Sequence, residues 1–175
     1  MHIVGHGLET RDDLESERMH SLSFELAVRQ RESSGGITRR EIRHWAATID
    51  DEPIEELVAR ALGHRGGWSG RLAPEPAEWL RSGLAMYLGE QPADLVSGRV
   101  PVLVCADCGD LACGAIATRI DERPSSVVWS DFAYENTYED PDPLELGPFE
   151  FDRPAYESTM RRLLSDPARL SPGKA

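Results

Sequence analysis

At Val100 the hydrophobic pattern of this chain changes its period. From Asp51 to Leu88 apolar residues recur at helical spacing. Downstream come three short apolar runs, Val100–Cys105, Gly114–Ile120 and Ser126–Phe132, separated by turn residues. A helix and a strand present their side chains at different angular steps, so blocks of each kind in one chain predict segregated α and β parts. The Gly-Asp and Glu-Arg-Pro turns are too short for the crossover that parallel strands need, so the three runs predict an antiparallel meander. Pro101 has no N–H to give and belongs at a strand start or edge.

The elements before and after the meander complete an α+β expectation. Ser21–Arg29 alternates Leu22, Phe24, Leu26 and Val28 with mostly polar neighbours, the pattern of a half-buried N-terminal strand, and Ser33–Gly36 breaks it. Thr38-Arg-Arg-Glu41 reads as a capping box, with Ile42, Trp45 and Ile49 as the buried stripe of a first helix. The basic residues Arg39, Arg40, Arg43 and His44 then form its solvated face. A second helix follows Pro53 on Ile54, Leu57, Val58, Ala61 and Leu62, and Gly63 stops it. His64–Gly70 reads as a flexible connector. A third helix runs from Pro74 or Pro76 to Leu88; with Trp79, Gly83 and Met86 widening its apolar face, it reads as a central core helix. Residues 133–150 are acidic, contain three prolines and no Lys or Arg, and read as loop. Asp152 is placed to cap a last helix, with Phe151 and Tyr156 as a hydrophobic staple. The expected organisation is a flexible N-terminal arm over 1–18, one α+β domain over 19–166 and a flexible tail over 167–175, with Met19 a second candidate start.

Composition narrows the function classes. A chain of 175 residues suits one domain with a real core. A formal charge of −12 argues against general nucleic-acid binding and against anionic membrane surfaces. No apolar run approaches the roughly 18 residues of a spanning helix, and no secretory signal is visible. With only three cysteines, these features predict a reducing, cytoplasmic setting.

All three cysteines fall in Cys105-Ala-Asp-Cys108-Gly-Asp-Leu-Ala-Cys113-Gly114. Pairing Val104 with Gly114 and Val102 with Ile116 sets Cys105 across from Cys113, with Cys108 at the tip. The three sulfurs then converge. Three readings are open. The cluster is a zinc knuckle, in which Cys-x-x-Cys-Gly lets two thiolates approach one ion while backbone amides face the sulfurs; a fourth ligand would come from His20, His44, His64, Asp110 or water. It is a thiol-redox centre, against which Asp107 and Asp110 would raise the thiol pKa values. Or it is a packing corner of small thiols in a tight turn, the ordinary expectation. The familiar zinc-protease, nucleophile-elbow and phosphate-loop motifs are absent.

The pattern VLVCADCGDLACGAI, then VVWSDF and GPFEFDRPAYESTMRRLL, resembles a group of small bacterial proteins of uncharacterised function. That group has a Cys-Gly-rich turn, a V-x-W-S-D-F strand and an F-x-F-D-x-x-x-Y helix start. The likeness is clearest over 102–164. It implies no activity, but it implies that the cysteine turn and the W-S-D-F strand form one unit. Members keep different numbers of cysteines, which counts against an obligatory four-ligand zinc. The resulting expectation is a non-catalytic acidic binding module, immunity-like by analogy, whose Glu139, Asp140 and Asp142 face a cationic protein partner. The alternative is a small zinc-binding or thiol-redox protein using Cys105, Cys108 and Cys113.

Overall fold

The computed structural model describes residues 19–31, 40–64 and 66–165. The expected arm, the break at 33–36, the Thr38 cap and the tail lie outside them. The described elements run β1 (Leu22–Arg31), β2 (Arg40–Ile49), β3 (Glu52–Pro53), α1 (Ile54–Leu62), β4 (Trp68–Gly70), α2 (Ala77–Tyr87), β5 (Val100–Cys105), β6 (Ala115–Glu122), β7 (Ser126–Glu135), β8 (Asp142–Pro143), β9 (Phe149–Asp152) and α3 (Arg153–Ser165). They make an α+β fold with two antiparallel sheets. One sheet is ordered β1-β2-β3. The other is β4-β5-β6-β7, with β8 and β9 both pairing with β7.

The expected helix at Ile42–Ile49 is a strand. Trp45, Ala47 and Ile49 are buried at a period of two and stand opposite Leu26, Phe24 and Leu22 of β1. Ile42, Trp45 and Ile49 satisfy a helical spacing, but the pairing with β1 buries a longer apolar face and overrides it. His64–Gly70 is likewise not all connector, because Trp68–Gly70 adds a strand to the edge of β5. A Cβ on Gly70 would overlap the Trp45 carbonyl oxygen, so glycine lets the two sheets meet here. Trp45 N–H donates to the Leu72 carbonyl at 2.8 Å, and His20 N–H to that of Glu150 at 2.6 Å, tying the smaller sheet to the larger at both ends.

α1 forms as expected, with Gly63 at φ 73° as its left-handed cap. α2 buries Leu80, Leu84, Met86 and Tyr87, but Trp79 is 65% exposed, so this helix has one buried face rather than an apolar girdle. The acidic stretch is not all loop. β7 continues through Ala133 to Glu135, and Phe149 and Glu150 open β9. In α3, Asp152 Oδ1 accepts the Ala155 N–H at 3.0 Å and the Phe151 and Tyr156 rings stack at 5.8 Å, the expected cap and staple.

The core centres on Trp129, whose ring meets Tyr87, Phe151 and Tyr156 edge to face. Its Nε1–H donates to the Tyr156 hydroxyl at 3.2 Å. That hydroxyl donates to the Tyr87 carbonyl at 2.9 Å, and the Tyr87 hydroxyl donates to the Pro101 carbonyl at 2.8 Å. Burial pushes both phenols well above their ordinary range, so they act as neutral donors. Beside the core, Arg99 binds Glu135 at 2.9 Å and Asp131 at 2.7 Å, and Arg119 reaches Asp131 at 3.0 Å. Asp131 sits at φ 52°, a conformation that Asp tolerates and that turns its carboxylate to both arginines.

Replacing Tyr156 by Phe removes one hydroxyl from this buried chain and leaves the Trp129 N–H and the Tyr87 carbonyl short of a partner. A loss of about 1–3 kcal/mol in denaturant unfolding is expected, and an unchanged midpoint would contradict the role assigned to the chain. The Arg99 guanidinium holds the Asp131 carboxyl below its ordinary 3.8. Its stabilising contribution is therefore complete above that value and fades as pH falls through the lower folded pKa. Asp131→Asn keeps a residue tolerant of positive φ while removing the charge. It should lower the melting temperature at neutral pH, with variant and parent converging in strong acid.

Candidate metal centre

The tip between β5 and β6 brings the three cysteines together: their sulfurs all lie within 4.8 Å of one another. The expected register holds only at the far end of the hairpin, where Val100 faces Thr118 and Pro101 faces Ala117. A bulge at Val102 then slips it by one, so that Leu103 faces Ile116, Val104 faces Ala115, and the Cys105 N–H donates to the Gly114 carbonyl at 3.3 Å. Pro101 lacks the N–H for a regular ladder, which suits it to the edge of a bulge. Cys105 is thus not directly across from Cys113. The sulfurs converge because the turn folds back on itself.

That folding is specific. The Gly109 N–H donates to the Cys105 carbonyl at 2.8 Å, and Gly109 takes φ 69°. Asp110 Oδ1 accepts the Ala112 N–H at 2.9 Å, and the Cys113 N–H donates to the Asp110 carbonyl at 3.1 Å. Backbone N–H groups consequently point at sulfur: those of Asp107 and Cys108 at Cys105, and that of Asp110 at Cys108, at 3.4 Å. Burial pushes the Cys105 thiol up, but these amides and the neighbouring thiols outweigh it and leave Cys105 below the ordinary range. The backbone of Asp107, rather than its carboxylate, therefore governs this thiol, contrary to the expectation that the aspartates would raise it. Cys113 is pushed up to about 11, chiefly by the sulfurs of Cys108 and Cys105. Ionisation of Cys105 is thus favoured and that of Cys113 beside it resisted.

The base of the turn is anchored. Trp68 pairs opposite Cys105, the Ala106 N–H donates to the Gly67 carbonyl at 2.8 Å, and the Tyr134 ring packs on Gly114 and on Trp68. A side chain on Gly114 would run into Tyr134. Cys105 is half-buried, while Cys108 and Cys113 are exposed.

Among the described residues no fourth His, Cys, Asp or Glu joins the trio. His20 binds Asp50 at 2.8 Å, His64 is exposed just beyond α1, and Asp110 faces its own turn. His44 is buried on β2, outside the sulfur cluster but on a cleft that Cys105 and Cys108 also line. Trp68, Trp79 and Arg71 were not among the sequence candidates for this region. The Trp-Ser-Gly-Arg run after two glycines was the one available sign of a strand there.

The acidic candidates lie elsewhere. Glu139, Asp140 and Asp142 are exposed; Asn136 accepts the N–H groups of Tyr138 and Glu139 at 2.8 and 2.9 Å and donates to the Glu139 carboxylate at 3.0 Å. Asp142 pairs with Tyr134 in β8. Among the described residues no helix is long and apolar enough to cross a membrane. Compared with protein-family models, with curated proteins and with solved structures, the chain returns no match.

Proposed function

We propose that the chain is a non-catalytic binding module whose β5–β6 tip holds one zinc ion through Cys105, Cys108 and Cys113. The observation that carries this is three sulfurs within 4.8 Å of one another, two of them faced by backbone N–H groups. Amides that point at sulfur stabilise thiolate, and thiolates at this spacing select a soft or borderline cation, for which zinc is the ordinary choice. A packing corner needs neither the amides nor the convergence. The ion would cross-link the end of β5 to the turn that leads into β6, as a structural metal does.

The acidic surface supplies the binding part of the reading. Exposed Glu139 and Asp140 follow Tyr138, which is 82% exposed, on a loop that Asn136 braces, and exposed Asp142 opens β8 just beyond. Such a patch suits a cationic protein, with its main effect on association rate.

Protein purified without a histidine tag should contain about one zinc per chain, with its thiols protected from alkylation until a chelator is added. Cys108→Ser should abolish the zinc. A metal-free protein with three freely reactive thiols would contradict the metal reading, and a metal-free Cys105–Cys108 disulfide would favour the redox one. Gly109→Val should weaken zinc by about tenfold, since a branched residue at φ 69° costs about 1–2 kcal/mol. Neutralising Glu139, Asp140 and Asp142 together should slow association with a cationic partner, and an unchanged rate would remove them from the interface.

A further inference from the structure

The cysteine tip offers an ion three sulfurs and no fourth protein donor. Cys105, Cys108 and Cys113 lie within 4.8 Å of one another, and among the described residues no His, Asp or Glu joins them. Inside the turn, Asp110 Oδ1 accepts the Ala112 N–H at 2.9 Å. Cys108 and Cys113 are exposed, so the trio is reached from solvent. Tetrahedral zinc completes such a set with a water, and three thiolates around a divalent ion leave one negative charge. That charge stands close in sequence to exposed Asp107 and Asp110, in a chain of net charge −12. A trivalent group 15 ion meets the same donors without either difficulty. Its lone pair fills the fourth vertex and needs no ligand, and three thiolates make the complex neutral. Such an ion is also soft, which suits an all-sulfur set.

Resting on the reading of these cysteines as joint ligands of one ion, we infer that the tip binds trivalent arsenic, taken up as arsenous acid, in a pyramidal trithiolate that displaces zinc. In the metal-free chain three As–S bonds replace three As–O bonds, and the thiol protons leave on three waters. From the zinc form three Zn–S bonds also break, the zinc ion departs hydrated, and the three protons come from solvent. Arsenic stays trivalent and no thiol is oxidised. Two thiols alone would leave one As–O bond open to exchange. The third sulfur closes the set, and the turn already holds it within reach.

The test titrates the full chain, kept reduced with a phosphine, with arsenite and with phenylarsine oxide, whose arsenic keeps one carbon and so takes only two thiols. By intact mass, arsenite should add one arsenic per chain for three hydrogens lost, leaving no thiol open to alkylation. Phenylarsine oxide should leave one thiol open. Cys113→Ser, a change at an exposed position, should weaken arsenite about a hundredfold while phenylarsine oxide binds as before. Added to the zinc-loaded chain, arsenite should release about one zinc per chain to a colorimetric chelator. Arsenite that leaves a thiol reactive, binds Cys113→Ser as tightly as the parent, or fails in excess to displace the zinc would overturn this inference; in the last case the zinc centre stands. Uptake of arsenite on all three thiols by a chain that takes no zinc would sustain this inference and overturn the zinc reading. A chain that takes neither would overturn both.

Discussion

Three buried hydrogen bonds, from the Trp129 indole to the Tyr156 hydroxyl, from that hydroxyl to the Tyr87 carbonyl and from the Tyr87 hydroxyl to the Pro101 carbonyl, form a chain that joins β7, α3, α2 and β5. Each aromatic side chain in it contributes a large apolar area and one polar atom, and every one of those atoms is satisfied inside the core. Aromatic packing alone is tolerant of sliding. A chain of directed bonds fixes how the two helices sit on the sheet and which way β5 enters the hairpin. Pro101 is where that chain ends and the bulge begins, so the core and the cysteine tip are coupled through one residue.

The consequences reach the hairpin tip in sequence. The bulge at Val102 sets the register of Leu103 and Val104 against β6; the Cys105–Gly114 bond closes the ladder, and a left-handed Gly109 turns the amides toward sulfur. On the opposite side of β6, Asp131 and Glu135 of β7 hold Arg99 just before β5. The hairpin is therefore fixed at both ends before any cation binds. Such preorganisation lowers the ordering cost of a metal site and leaves the binding free energy to stabilise the fold.

Much of this was legible in the residues. The change of period at Val100 gave the α+β class and the antiparallel hairpin, because turns this short admit little else. Gly63, Asp152 and the Phe151–Tyr156 pair marked helix ends by local chemistry that tertiary contacts did not override. Trp45 misled because Ile42, Trp45 and Ile49 fit a helix as well as a strand; the arbiter was β1, whose alternating face needed a partner. Trp79 misled because an apolar type says nothing about which side of a helix meets the core. For the cysteines, convergence was expected from a register that fails by one residue at the tip; the sulfurs meet because the turn folds back on itself. A bulge inserts one extra residue into one strand of a pair and leaves no periodic trace. The cleft beside them joins residues distant in sequence, His44, Arg71 and Cys105, and no local pattern announces it.

The central claim is that Cys105, Cys108 and Cys113 act together as ligands of one ion. X-ray absorption at the zinc edge of the zinc-loaded full chain tests it most directly. The account predicts a first shell containing at least three sulfurs at about 2.3 Å. A shell built from nitrogen and oxygen, with two sulfurs or fewer, would contradict it.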